Sequence, residues 1–303
     1  MPTDPQDAAA TEASALRYRG LETWPPQEII SALLDGQLAA TAAAMAARDR
    51  IVTAQQAALP RLAGGGRLVY AGAGTSGRLA ALDAAELEPT FGWPRDRALL
   101  VMAGGAEALT RAIEGAEDDH RAGAQRVAEL GVGPQDVVLA LAASGRTPFT
   151  CAVVVAARAL GALTIGIANS PESPLARAAD IAIEIDTGAE PVAGSTRMKA
   201  GTAQKAVLSC LSTAIMLGLG LVWQGRMVGM RPTNAKLRTR AEAMVADLAG
   251  VSGAVAATTL RAADDRIAVA VLMLLRDLDA QGATRRLDSA GGRLGDALDI
   301  AED

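Results

Sequence analysis

The stretch Arg67–Arg78, RLVYAGAGTSGR, constrains the fold more than any other. Leu68, Val69 and Tyr70 form a short apolar run suited to a strand covered on both faces. Gly72, Gly74 and Gly77 then allow a sharp turn and a close approach to a ligand. Thr75 and Ser76 add hydroxyls where the next helix begins. Free backbone N–H groups and the helix dipole favour an anion there, most often a phosphate. Asp136–Pro148, DVVLALAASGRTP, repeats the design with Ser144, Gly145, Arg146 and Thr147 after a strand. Two such units imply one phosphorylated small molecule held from two sides.

The runs Leu68–Ala71, Ala98–Met102, Val137–Leu141, Leu163–Ala168 and Ile181–Ile185 read as strands, with helical patterns between them. That alternation predicts an α/β three-layer sandwich, with a mainly parallel five-stranded sheet and right-handed crossovers. Ligands of such sheets bind beyond the carboxyl ends of the strands, where both hydroxyl turns fall. Residues 1–50 read as an amino-terminal arm and helix, 51–240 as the catalytic domain and 241–303 as a small helical region. Met1–Trp24 reads as loosely ordered. A helix starts at Pro25–Pro26, breaks near Asp35–Gly36 and stops at Gly64–Gly66. The long helix begins near Ser195. Beyond Val251 come short helices, one with an apolar face of Ile267, Val271, Leu274, Leu275 and Leu278.

Composition narrows the function. Half of the 303 residues are apolar but only 2% are aromatic. Single-stranded nucleic acids are bound largely by stacking on aromatic side chains, and a net charge of −5 adds no general attraction. No nucleic-acid partner is expected. Cys151 and Cys210 stand singly in apolar runs and read as reduced core residues. Met1–Glu12 is polar and acidic, unlike a secretory signal. Ala206–Trp223 is marginal in length for a membrane span and reads as a buried or interfacial helix. The expected location is the cytoplasm.

Gly72–Gly77 also satisfies G-x-G-x-x-G, but the second strand ends in MAGG, with no acid to hold a ribose before Glu107. Dinucleotide binding is therefore not expected. His120 is the only histidine and has no activated nucleophile beside it, so acid–base work falls to carboxylates or lysines. Glu86 and Glu88 lie in LDAAELEPT; Glu114, Glu117, Asp118 and Asp119 lie in EGAEDDH. The second cluster reads as solvated caps rather than a metal site, and no metal or cofactor is expected. In Thr187–Lys205, Glu190 precedes a loop and Ser195 and Thr196 are candidate caps. Arg197, Lys199 and Lys205 oppose the helix dipole unless an anion sits among them. Ser195 and Lys199 thereby join the candidate anion-binding residues.

The blocks GAGTSGRLAALDAAELEPT, AGGAEALTRAIEGAEDD, ALAASGRTP and GAEPVAGSTRMKAGTAQK resemble, in order and spacing, those of the N-acetylmuramic acid 6-phosphate etherases. The resemblance runs from about Gly64 to Met244 and includes PTNAKLRTRAEAMV. It implies a sugar-isomerase-type domain, no cofactor, and a homodimer, for which Ala206–Trp223 offers an apolar helix. The implied reaction opens the sugar to its aldehyde, removes the proton at carbon 2, expels D-lactate from carbon 3 and adds water back. By motif position Glu86 matches the family's proton donor and Glu117 the second catalytic glutamate, the base. Thr75, Ser76, Ser144 and Thr147 match its phosphate and sugar contacts, and Gly74, Gly145 and Arg146 of the same turns join the candidate binding residues. Glu88 and Glu114 are the alternatives in the same loops, but Glu88 stands where the family usually has proline. The family's amino-terminal T-E-x-x-N has diverged, with AlaSerAla following Thr11–Glu12. Two rivals share the superfamily. A sugar-phosphate-binding regulator like the glucokinase regulatory protein is about twice as long. An aldose–ketose isomerase would lack the EGAEDD block.

Overall fold

The computed structural model describes residue 11 and residues 13–300. The acidic opening stretch lies outside the described residues, apart from Thr11. Five parallel strands form one sheet: β1 (Leu68–Gly72), β2 (Ala98–Met102), β3 (Val137–Ala142), β4 (Leu163–Ala168) and β5 (Ile181–Glu184). Their spatial order is β2-β1-β3-β4-β5. The chain therefore winds outward in both directions from the β1–β3 pair. Helices follow in chain order: α1 (Pro26–Ala46), α2 (Arg48–Ala63), α3 (Gly74–Phe91), α4 (His120–Glu129), α5 (Pro148–Ala159), α6 (Pro174–Ala178) and α7 (Lys199–Gly218). Then come α8 (Ala235–Ala249), α9 (Gly253–Ala262), α10 (Ile267–Arg276), α11 (Ala280–Ser289) and α12 (Leu294–Asp299).

Every residue of β1, β3 and β4 is buried, as both-face coverage requires. The two faces differ in side-chain size. Val69, Ala71, Val138, Ala140 and Ala168 pack in one cluster with Val127 of α4 and Phe149, Val153 and Val154 of α5. The alternate positions carry Leu68, Tyr70, Leu139, Leu141, Ile165 and Ile167, all fully buried. Tyr70 donates a 2.9 Å hydrogen bond to Asp83 of α3, whose other oxygen accepts from Ser212 of α7 at 3.1 Å. Burial, with Asp83 alongside, holds the Tyr70 phenol well above its ordinary pKa, so it stays a donor.

Two compact units result, one of Met1–Ala84 and Asp96–Ser212, the other of Ala85–Arg95 and Thr213–Asp303. The first holds the sheet. The second has its own apolar core, including Met244, Val245, Leu260, Ile267, Val271, Leu272 and Leu298. In α10 the first six residues are all buried, so the apolar positions there form a core helix rather than one face.

Three sequence expectations need correction. Residues 13–24 are not loose: Leu16–Tyr18 and Leu21–Thr23 form 3-10 turns, and Tyr18 and Leu21 pack with Ala32. No helix break occurs at Asp35–Gly36. Gly36 is buried inside α1, where a side chain would meet Lys199 at 3.4 Å, and the break falls at Ala47. Neither cysteine is deep in the core, since Cys151 is half-buried and Cys210 exposed.

At the amino edge of the sheet Arg67 clasps Asp136. Its backbone N–H and Nε both donate to Oδ1 at 3.0 Å, Nη2 donates to Oδ2 at 2.6 Å, and Gly133 N–H donates to Oδ2 at 2.9 Å. Burial pushes the Asp136 pKa up, but the guanidinium and the two N–H groups outweigh it and hold the carboxyl below its usual range. With the folded pKa lowered, this stabilisation is present above the ordinary aspartate pKa and is lost as pH falls through the folded value. Asp136→Asn should therefore cost about 1–3 kcal/mol near neutral pH, by removing the charge that Arg67 faces and replacing one of two acceptor oxygens with a donor. Denaturant titrations of both proteins should show that gap closing below about pH 4.

Candidate active site

The cleft lies where the winding reverses, at the carboxyl ends of β1 and β3, the usual ligand position in an open parallel sheet. It measures about 400 Å³. The β1–α3 turn contributes Gly74, Thr75 and Ser76; the β3–α5 turn contributes Ser144, Arg146, Thr147 and Pro148. Glu117 and Asp118 reach it from a 3-10 turn ahead of α4, and Gly194 and Thr196 from the segment ahead of α7. The amino ends of α3 and α5 thus meet at one cleft, which suits an anion.

Local chemistry explains the turns. A side chain on Gly77 would meet the Met102 sulfur at 2.3 Å and the Gly72 carbonyl oxygen at 2.7 Å, so glycine lets α3 start against the strands. Thr147 occupies the N-cap position of α5 but makes no capping hydrogen bond, which leaves its hydroxyl unspent. Ser144 Oγ accepts from the Arg146 N–H at 3.2 Å, so its proton also remains unspent. Gly145 does not line the cleft. Its carbonyl accepts from Leu175 N–H at 2.9 Å, and at φ +64° a side chain would strike Ser173.

Ser195 and Lys199 are likewise absent from the lining, although Gly194 and Thr196 are present. The cap of α7 is Glu190, not Ser195 or Thr196. Its two oxygens accept from the Lys199 and Ala200 N–H groups, both at 2.9 Å. Glu190 is 1% exposed and is the anion that the cations near this helix start require. Burial lowers the Lys199 pKa, with Glu190 opposing, and the ammonium donates to the Ala189 carbonyl at 2.9 Å. In the sequence Glu190 stands before a loop, and no local signal marks its reach to a helix start nine residues later.

Asp119 accepts from Ala122 N–H at 3.0 Å and caps α4, as the acidic run suggested for one of its members. Among the described residues no three His, Cys, Asp or Glu side chains gather as a metal-binding group. Glu86 is exposed on α3 in the second compact unit and is not among the cleft residues. Arg78, which sequence analysis passed over, ties the site together. Its Nε donates to the Ala108 carbonyl at 3.0 Å and its Nη2 to the Arg111 carbonyl at 2.9 Å. These bonds close a recess of about 220 Å³ that is lined by Met102, Ala108 and Ile113 and shares Ala73, Gly74 and Glu117 with the cleft.

Comparison with known proteins adds family evidence. Residues 50–158 match the family model for the glucokinase regulatory protein N-terminal SIS domain, and residues 122–214 match that for the SIS domain. The chain is 46% identical to the N-acetylmuramic acid 6-phosphate etherase of Deinococcus radiodurans, over 99% of this chain and 97% of that one. It is 41% identical to the etherase of Shouchella clausii, with 97% and 99% covered. The etherase of Streptomyces avermitilis is 43% identical, with 97% and 95% covered.

Arg78→Met removes both charge-assisted bonds, a loss of roughly 2 kcal/mol. Hydrogen exchange followed by mass spectrometry should show faster exchange across residues 104–118 and unchanged exchange across 143–148. Equal acceleration in both segments would mean that Arg78 supports the whole edge rather than the Glu117 loop.

Proposed function

We propose the following division of roles for this chain, which belongs to the N-acetylmuramic acid 6-phosphate etherase family. The activity is cleavage of the D-lactyl ether of N-acetylmuramic acid 6-phosphate, giving N-acetylglucosamine 6-phosphate and D-lactate. The match to the etherases covers at least 97% of each chain, so the regulator and isomerase alternatives are not favoured. The observation that carries the roles is the cleft joining both hydroxyl turns to Glu117.

The phosphate takes the amino end of α5, where the Ser144 and Thr147 protons are unspent and Arg146 supplies positive charge. Thr75 and Ser76 face the sugar. Ring opening gives an aldehyde, which makes the neighbouring carbon 2 proton acidic. Glu117 takes that proton, and the resulting enolate expels the lactyl oxygen from carbon 3. Glu86 protonates the departing oxygen. Water then adds at carbon 3 and a proton returns to carbon 2, so the net change is hydrolysis of the ether. Two carboxylates in separate surroundings can serve as base and acid.

Glu86 stands eleven residues beyond Thr75 on one continuous helix, about 16 Å along its axis. Its role at a ligand seated on the helix start therefore calls for a second copy of the chain. α1 offers a surface for such a copy. Ile30, Leu34, Leu38 and Met45 are 57%, 58%, 69% and 75% exposed, whereas Val207, Leu208, Leu211 and Ile215 of α7 are buried. The expected contact thus moves from α7 to α1. By length and composition α1 could also cross a membrane, at a mean hydropathy of 1.4. We read its apolar stripe as a homodimer contact and place the enzyme in the cytoplasm.

Wild-type protein should release D-lactate from N-acetylmuramic acid 6-phosphate. Glu86→Gln and Glu117→Gln should each lower that rate by about 10²–10⁴-fold. Carbon 2 exchange with deuterated solvent should survive in Glu86→Gln alone, because only that variant keeps the base. When the two inactive variants are mixed and their subunits exchanged, about a quarter of the activity should return if each site draws its two glutamates from different subunits. No lactate from wild type would refute the activity; no recovery on mixing would refute the shared site.

A further inference from the structure

Behind the cleft lies a buried polar relay. Ser76 Oγ donates to Gln204 Oε1 at 2.8 Å, Gln204 Nε2 donates to Asn169 Oδ1 at 3.0 Å, and Asn169 Nδ2 donates to the Ala200 carbonyl at 3.4 Å. Ser76, Gln204 and Asn169 are 8%, 1% and 0% exposed. The direction of this chain follows from its last member. A backbone carbonyl can only accept, so the Asn169 amide must turn its NH₂ toward Ala200 and its oxygen toward Gln204. Gln204 must then turn its NH₂ to Asn169 and its oxygen to Ser76. Reversing both amides would set two oxygens against each other in a site without water contact, at the cost of an unmet buried acceptor.

We propose that Gln204 is a positioning residue that commits the single Ser76 proton inward, so that Ser76 meets the ligand only as a hydrogen-bond acceptor. A dianionic phosphate has no proton to give to such a group. A sugar hydroxyl or an amide N–H does. The two turns look alike in sequence, yet Ser76 offers lone pairs while Ser144 and Thr147 offer protons. The polarity of the cleft thereby orients the ligand, with the phosphate on the β3–α5 turn and a ligand O–H or N–H against Ser76. This inference rests on the sugar-phosphate reading above.

The test compares two probes, N-acetylglucosamine 6-phosphate and inorganic phosphate, by calorimetry on folded protein. Ser76→Ala should weaken the sugar phosphate about tenfold and leave inorganic phosphate within about twofold. Gln204→Met frees the Ser76 proton and should lower the ratio of the two affinities as Ser76→Ala does, with no further fall in the double variant. Gln204→Glu, held in the neutral acid form by burial, keeps an acceptor for that proton and an O–H for Asn169 Oδ1, and should keep the wild-type ratio. If Gln204→Met does not fold, Ser76→Ala and Gln204→Glu decide. Equal weakening of both probes by Ser76→Ala would overturn the inference, and so would a changed ratio in Gln204→Glu. Lactate release by wild-type protein tests the etherase reading separately, since it does not depend on this ratio.

Discussion

The in-register pairing of β1 with β3 is the constraint on which the site depends. Leu68 stands opposite Val137 and Gly72 opposite Leu141, so the two strands start level and end within one residue of each other. Both turns then leave the sheet side by side, and two helix starts face one cleft. A shift of register would separate them by one residue rise, about 3.3 Å, and would also exchange the large and small faces. The Arg67–Asp136 clasp sits at the opposite end of the same two strands. It ties the residue before β1 to the residue before β3, so the ion pair that fixes the register lies far from the chemistry that the register serves.

A layer of buried polar groups backs the cleft. Glu190 holds the start of α7, and Asn169 and Gln204 connect that helix to Ser76. Such groups are costly to bury unless each finds a partner, and a connected set specifies one arrangement more sharply than apolar packing does. α7 is therefore held at the cleft by directional bonds as well as by its apolar side. Burial of Ala200, Ala203, Val207, Leu208 and Leu211 provides the non-directional part.

Much of this was legible in the residues. All five strands were readable because each is a short, mostly apolar run with helical patterns between the runs. Both hydroxyl turns were readable because glycine and hydroxyl residues after a strand have a specific mechanical meaning. The errors share a cause: the deciding partner is distant in sequence. Gly36 signals a break by propensity, but Lys199 packs where its side chain would be. Glu190 reaches forward to the N–H groups of α7 across a loop. Arg78 looked like the end of a motif, while its hydrogen bonds go to carbonyls about thirty residues on. Glu86 follows the same pattern, since a motif shows spacing along the chain and not which of its residues line the cleft.

Glu117 illustrates how a side chain on a loop can be held at a cleft. No strand or helix carries it; it sits in a single 3-10 turn after Gly115, whose φ is +69°. Upstream, Arg78 anchors the Ala108–Arg111 segment to α3. Downstream, Asp119 caps α4, and α4 packs on α5, whose start forms the other side of the cleft. The loop is thus fixed at both ends to the two helices whose amino termini line the cleft. A side chain so placed needs little rearrangement to act there, which is the condition under which proximity contributes most to rate. Glu117 itself remains exposed. The positions of the two hydroxyl turns and of Glu117 are therefore not independent features of the cleft. Both are set by α3 and α5, and a change that tilts either helix must move the two together.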